Sequence, residues 1–394
     1  MPRVKITIES PIAPSFRVAQ VAGMFDVPLA GKLTHDWDVN LPIEGLDWQI
    51  GLLVGPSGSG KTTLGRRLFP DARFHEGYAW PAAAAIVDAF PEALDGKTIT
   101  GALSSVGFSS PPHWLKRYAH LSNGQKFRCE LARLMLDTPP LADTGGSPPV
   151  VVFDEFTSVV DRDAAKVSSA AVAKALRRRG TPRLVALSCH YDVIDWLDPD
   201  WVYNVADGSF ARRSLRRRPA IELAIHEASP RAWPLFSGHH YLSRTLHRSA
   251  RCFVACWGER PVAFTSYLHL PGKDKRLKRE HRTVVLPDYQ GVGIGNALSE
   301  WLGGHVKGLG FRFVSTTSHP AMIRHRMKSP LWKSSGPIGH KPGHVGASKR
   351  AGGMKEAQSR LRITGSFEYV GPARLAPQRG ELNGPKLMTP SRTA

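Results

Sequence analysis

Gly55-Pro56-Ser57-Gly58-Ser59-Gly60-Lys61-Thr62-Thr63 follows the apolar run Trp48-Gln49-Ile50-Gly51-Leu52-Leu53-Val54 and satisfies G-x-x-x-x-G-K-[ST]. A strand delivers such a loop. Its glycines let successive backbone N–H groups close around a phosphate, and Lys61 and Thr62 open a helix whose dipole favours anions. Both flanks are in place, because Leu64 to Leu68 continues as a helix that Pro70 ends. The stretch reads as a nucleotide-phosphate loop in an α/β fold, with every residue from Gly55 to Thr63 a candidate contact.

Downstream, Leu121-Ser122-Asn123-Gly124-Gln125 leads into Phe127, Leu131 and Leu134 at helical spacing. Taken alone, Ser122 is equally an N-capping serine. Val150-Val151-Val152-Phe153-Asp154-Glu155 is then a continuous apolar run, the pattern of a buried parallel strand, ending in two carboxylates. Thr157-Ser158-Val159-Val160-Asp161 follows. A helix is expected over Ala164 to Arg179, and a strand over Arg183 to Ser188, just before His190.

In this order the elements resemble those of ABC ATPases: phosphate loop, signature sequence, Walker B strand, D-loop and switch histidine. The resemblance implies that Ser122, Asn123, Gly124 and Gln125 face the ATP held by a second copy, with Asp161 at the seam of that homodimer. It also implies that Thr62 and Asp154 hold Mg²⁺, that Glu155 polarises the attacking water and that His190 contacts the γ-phosphate. Three features depart from the family. No glutamine lies between Gly77 and Gly124, the interval from Thr62 to Ser122 is short for a transporter subunit, and Thr138 to Pro149 inserts a Gly/Pro-rich loop. Within residues 1–50, a small strand-rich lobe is expected. Phe16 and Phe25 there read first as core residues and second as rings for stacking on adenine.

The net charge of +20 is uneven: 21 basic against 23 acidic residues up to Asp207, and 32 against 10 from Gly208 onward. Basic runs recur at Arg212-Arg213, Arg216 to Arg218, Lys273 to Arg282, Arg324 to Lys328 and Lys349-Arg350. Such a field attracts polyanions, nucleic acid first among them. No apolar run approaches the roughly 20 residues of a membrane span, and nothing near Met1 resembles a signal peptide, so a cytoplasmic protein without a membrane partner is expected. The four cysteines, Cys129, Cys189, Cys252 and Cys256, lack zinc-site spacing and read as free thiols.

In the C-terminal half, Cys252 to Trp257 and Pro261 to Leu268 read as two strands around a turn, and Thr283 to Leu286 as a third. The third leads through Pro287-Asp288-Tyr289 into Gln290-Gly291-Val292-Gly293-Ile294-Gly295, a Q-x-x-G-x-G stretch opening a helix expected over Asn296 to Val306. Consecutive amides at such a start suit a pyrophosphate. The main alternative, a second mononucleotide fold, is disfavoured by the meandering strands before the loop.

This region resembles GCN5-related N-acetyltransferases (GNAT). The resemblance implies that Gln290, Gly291, Val292, Gly293, Ile294 and Gly295 bind acetyl-CoA, with backbone groups of Val284, Val285 and Leu286 on the pantetheine arm and acetyl carbonyl. Glu280 and His281 stand near where some relatives carry the base, or are surface residues in a charged run. Relatives often use an Asn and a Tyr after the next strand, whereas this sequence has Ser318 to His325 there, with His319 or His325 as candidates to substitute as the acid.

The expected architecture is thus an α/β P-loop ABC-type ATPase domain over 1–210, a basic linker over 211–232, an α+β GNAT-like domain over 233–370, and a disordered tail over 371–394. Two functions remain open. One is an ATPase coupled to acetyl-CoA-dependent N-acetyl transfer on nucleic acid or a nucleic-acid-bound acceptor. The other is a nucleic-acid maintenance or remodelling ATPase whose second domain only binds.

Overall fold

The computed structural model describes residues 4–11, 13–25, 32–138, 148–212, 220–240, 244–270, 274–340, 363–374 and 387–388. The chain divides into two compact units, and two of the borders between them fall inside helices. One comprises Met1–Ala79, Leu134–Val160 and Val172–Arg216; the other comprises Trp80–Arg133, Asp161–Ala171 and Arg217–Ala394.

The first unit carries an antiparallel pair, β1 (Val4–Pro11) with β2 (Lys32–Val39), and helix α1 (Phe16–Met24) between them in sequence. Its main sheet holds β3 (Ile50–Val54), β4 (Arg73–His75), β5 (Val150–Phe153), β6 (Arg183–Ser188), β7 (Trp201–Asn204) and β8 (Phe210–Arg212), in the order β4-β5-β6-β3-β7-β8. All pairs are parallel except β7 with β8. Central β3 is buried along its whole length, as its unbroken apolar run requires. Gly51 has no substitute there, because an added Cβ would overlap the indole of fully buried Trp201. Helix α2 (Lys61–Leu68) starts directly after the glycine loop.

The second unit begins with a helical segment of α3 (Gly96–Ser105), α4 (Pro111–Trp114) and most of α5 (Asn123–Leu136). Trp80 stacks on Tyr118 with centroids 4.7 Å apart, and Glu130 accepts hydrogen bonds from both side chains. The start of α6 (Arg162–Arg179) belongs to the same unit; α7 (Ile194–Leu197) belongs to the first.

The large sheet of this unit runs β14-β16-β13-β12-β11-β10-β9-β17, with β15 on β16. Its strands are β9 (Glu222–Ala228), β10 (Arg251–Trp257), β11 (Arg260–His269), β12 (Leu277–Val285), β13 (Arg312–Thr317), β14 (Trp332–Ser334), β15 (Gly339–His340), β16 (Ile363–Tyr369) and β17 (Leu387–Met388). Helices α8 (Trp233–Ser237), α9 (Ile294–Gly308) and α10 (Pro320–Lys328) complete it. Trp233 and Phe236 of α8 pack with Cys252, Phe264 and Val284 in an apolar cluster, each buried large side chain contributing about 1.5–3 kcal/mol.

Two irregularities shape this sheet. Parallel strands β12 and β13 pair only at Leu277↔Arg312, Lys278↔Phe313 and Arg279↔Val314, and β12 then runs on to Val285 without that neighbour. Opposite β11, Ser266 pairs with Arg282 and Tyr267 with Glu280, so His281 is the extra residue of a bulge.

Several expectations shift. Phe16 and Phe25 are 82% and 71% exposed rather than core residues. Residues 211–232, expected as a linker, include β9, which pairs with β10; its alternating apolar positions are short and follow an arginine run. Arg213, Arg216 to Arg218, Lys273, Lys349-Arg350, most of the 138–149 loop and most of the 371–394 tail lie outside the described residues. Among the described residues, no helix is long and apolar enough to cross a membrane.

Candidate nucleotide and acetyl-donor sites

In the first unit the phosphate loop runs from β3 to α2, with Gly58 and Gly60 at φ of 77° and 82°. L side chains rarely adopt that conformation, which is why the loop needs glycine at both positions. The Lys61 Nζ donates to the carbonyls of Gly55 at 3.0 Å and Pro56 at 2.7 Å, so the ammonium is folded back across the loop where a phosphate would sit. Thr62 Oγ1 donates to Asp154 Oδ2 at 2.7 Å, joining the start of α2 to the end of β5. A hydroxyl and a carboxylate side by side are hard oxygen donors that fit Mg²⁺ together with phosphate oxygens. Asp154 Oδ1 accepts the amide of Glu155 at 2.8 Å, and Glu155 itself is exposed with φ of 50°.

Ser188 ties the remaining parts to this frame. Its carbonyl accepts the Gly55 amide at 3.3 Å. Its hydroxyl donates to the Phe156 carbonyl at 3.0 Å and accepts the His190 amide at 3.1 Å. The end of β6 thereby links phosphate loop, Walker B turn and the expected switch histidine.

Trp37 is a residue that sequence reading missed. An added Cβ at Gly60 would overlap its indole, so the ring lies against the phosphate loop. Nothing local to β2 marks Trp37, because the approach arises between strands. Stacking on a nucleotide base contributes about 1–3 kcal/mol, so Trp37→Ala should weaken ATP binding roughly tenfold, with Trp37→Phe close to wild type. Unchanged calorimetric affinity in Trp37→Ala would remove the ring from the site.

The other nucleotide-linked residues lie in the second unit. Ser122 Oγ accepts the Gln125 amide at 3.3 Å, and Gln125 Oε1 accepts the Ser122 amide at 3.1 Å. This is a reciprocal capping box at the start of α5, with Asn123 and Gly124 forming its first turn. Asp161 Oδ1 accepts the Asp163 amide at 3.0 Å and so caps α6. Both therefore have the capping role that a local reading allows, at helix starts whose dipoles favour anions.

The acetyl-donor loop lies beside the parted strands. Val284, Val285 and Leu286 end β12, and Gln290 Nε2 donates to the Val285 carbonyl at 2.8 Å. Gly291 and Gly293 have φ of 92° and 100°, and Gly293 caps α9 with no side-chain hydrogen bond. The opening turn of α9, with Val292, Ile294 and Gly295 around that cap, thus keeps the backbone character a pyrophosphate needs.

Glu280 does not fit the role of a base. Its carboxylate pairs with Arg326 at 2.9 Å, and the two side chains are 7% and 1% exposed. It also accepts hydrogen bonds from Thr283 at 2.5 Å and from Ser315. Arg326 donates further to Ser315 at 2.6 Å and Ser299 at 2.7 Å. Burial acts to raise the Glu280 pKa, but Arg326 and the surrounding hydroxyls outweigh it and hold the carboxyl below its ordinary value. A carboxylate held by a buried ion pair and by hydroxyls on both oxygens is already committed to structure; it ties β12 to β13 where they part. Arg326 is accordingly withdrawn from the exposed basic run at 324–328.

His281, at the bulge, is half-buried. Its Nε2 accepts the His247 amide at 3.1 Å. Burial first, then Arg282, Arg279 and the histidines His247 and His240, push its pKa down to about 4. Of the two candidate acids, His325 binds Glu300 at 2.7 Å. His319 is the N-cap residue of α10, its pKa lowered chiefly by burial.

His113 is likewise pushed down to about 4, by burial, then Lys116 and His239. Unfolded histidine protonates near 6.5, so between about 6.5 and 4 the unfolded chain binds more protons. Stability should therefore be fully present above about pH 6.5 and lost as pH falls toward 4. Urea midpoints measured at pH 7 and pH 5 should show this fall, and His113→Gln with His281→Gln should flatten it.

Residues 217–325 match the sequence model of the acetyltransferase (GNAT) family, so the C-terminal part carries a GNAT acetyltransferase domain. No curated protein matches the chain with significance. Solved-structure neighbours over the N-terminal half are ATP-binding cassettes. One is a dimeric cassette in a post-hydrolysis state bound to ADP and phosphate, 14% identical, with 45% of this chain and 90% of that chain covered and a TM-score of 0.33. Another is cbiO1 from Clostridium perfringens, part of the ABC transporter complex cbiONQ, at 15% identity, 43% and 76% coverage and a TM-score of 0.31. A Bacillus subtilis acetyltransferase in complex with CoA matches at 14% identity, with 37% of this chain and 97% of that chain covered and a TM-score of 0.29.

Proposed function

We propose that this protein is an ATP-hydrolysing enzyme that works as a homodimer in the cytoplasm and couples ATP to acetyl-CoA-dependent N-acetylation of nucleic acid or of an acceptor bound to it. The observation that supports the nucleotide half is the bond from Thr62 to Asp154, which brings together oxygen donors of two separate motifs where Mg²⁺ and phosphate would bind. Lys61 would leave the Gly55 and Pro56 carbonyls for the phosphates. Glu155 would orient water, and His190 would approach the γ-phosphate. Ser122 to Gln125 and Asp161 would complete the site of the second copy.

For acetyl transfer, an extended thioester arm would lie along β12 at Val284 to Leu286, where β13 no longer pairs with that strand, and the loop Gln290 to Gly295 would take the pyrophosphate. The amine attacks the thioester carbonyl, the new C–N bond forms as C–S breaks, and the amine proton must leave while the thiolate gains one. His281 would take the amine proton. Its depressed pKa keeps it neutral at pH 7, and it must first release the His247 amide. On the acceptor side, Arg276, Arg279, Arg324 and Lys328 are exposed basic residues of the same unit, consistent with a polyanion.

Incubation with labelled acetyl-CoA, ATP, and DNA or RNA tests this reading. Label on nucleic acid or on a co-bound protein supports it. Nucleic-acid-stimulated ATP hydrolysis with no transferred label would favour the binding-only alternative, which the occupied Nε2 of His281 and the locked Glu280 also favour.

A further inference from the structure

Residues Pro287 to Gly291, the approach to the acetyl-donor loop, are gripped by the same helical segment that carries Ser122 to Gln125. Arg128, one turn further along α5, is fully buried; its Nη2 donates to the Asp288 carbonyl at 2.9 Å and its Nη1 lies 3.4 Å from the Asp288 carboxylate. The amide of Ser109, beyond α3, donates to Gln290 Oε1 at 2.7 Å, while the other end of that side chain holds Val285. Backbone meets backbone alongside: a Cβ on Gly291 would come within 2.6 Å of the Gly107 Cα, and both glycines have positive φ, 92° and 89°. On the remaining side, Arg260 pairs with Asp163 at 2.7 Å, next to the cap at Asp161, and also bonds Tyr289.

A buried guanidinium cannot slide away from its acceptors without leaving charged donors unpaired in an apolar setting, which is costly. Arg128 sits about 7.5 Å along the axis from the start of α5, and a helix transmits a shift over that distance as a rigid rod. Displacement of the capping box by an incoming phosphate must therefore move Asp288 or break its bonds to Arg128.

We propose that Arg128 is a positioning residue for the acetyl-CoA loop, and that through it a nucleotide at Ser122 to Gln125 and acetyl-CoA at Gln290 to Gly295 change each other's affinity. This rests on the reading above that the start of α5 meets ATP. Linkage requires the effect to be reciprocal, with the same factor in both directions.

The test is calorimetry on the full chain carrying Glu155→Gln, which retains ATP. The dissociation constant for CoA is measured with and without saturating ATP and Mg²⁺, and that for ATP with and without CoA. A change of about 5–150-fold is expected, equal in both directions. Arg128→Lys, which keeps the charge but loses the fork, should bring the factor toward 1 while each ligand alone still binds. Asp288→Ala, at a half-exposed side chain, provides a second variant should the buried substitution fail to fold. A merely structural role would lower stability in these variants and leave the coupling factor unchanged, which overturns the proposal. Equal CoA affinity with and without ATP overturns it as well, with both binding readings intact. Absence of any CoA binding removes the acetyltransferase reading itself, and the coupling with it.

Discussion

Glu155→Gln is expected to lower steady-state ATP turnover by about 10²–10⁴-fold, the range that a positioned general base supplies, while ATP binding persists. The reason lies in the geometry at the end of β5. Asp154 is engaged on both oxygens, by Thr62 at 2.7 Å and by the Glu155 amide at 2.8 Å, so it is held in place at the end of β5. Glu155 is exposed, and glutamine preserves its shape and backbone while being unable to accept a proton. The variant should accumulate as an ATP-bound dimer. Steady-state phosphate release and light scattering check the two halves separately: turnover near wild type would take the water-activating role from Glu155, and monomers at saturating ATP would count against the two-copy site.

The second large effect is on stability. Arg326→Met should destabilise the acetyltransferase part by about 3–5 kcal/mol, because it strands Glu280 as an uncompensated buried charge. The double change Glu280→Gln with Arg326→Met should recover much of that loss, since replacing both members of a buried pair is far less costly than removing one. The pair also sets a pH dependence. With the Glu280 pKa held low, its contribution is present above the ordinary carboxylate range and is lost as pH falls through the folded value. Urea unfolding followed by tryptophan fluorescence reads both variants against the wild type, since the Trp332 ring centroid lies 4.3 Å from the Arg326 guanidinium carbon. An Arg326→Met midpoint equal to wild type would show that the pair is not needed to brace β12 and β13.

The phosphate loop, the Walker B strand and the Q-x-x-G-x-G loop were legible in the sequence because each is a local backbone device. Glycines set φ, an apolar run sets a buried strand, and a helix start follows within a few residues. The strand expected over Arg183 to Ser188 has those bounds in the structure, for the same reason. Other features were decided by contacts between residues far apart in the chain. Glu280 reads as a candidate base or a surface residue until Arg326, 46 positions later, claims its carboxylate. Trp37 acquires a place at the phosphate loop only when β2 is laid beside Gly60. Residues 80–133 carry the ABC-like signature, yet they pack with the acetyltransferase part, through Arg128 and Asp288, 160 positions apart. No periodicity or motif records such pairs, because they depend on how separate elements close on one another. The sequence alone determined where the two glycine-bearing loops lie and which backbone they adopt; the tertiary structure decided which side chains are spent in holding the loops together.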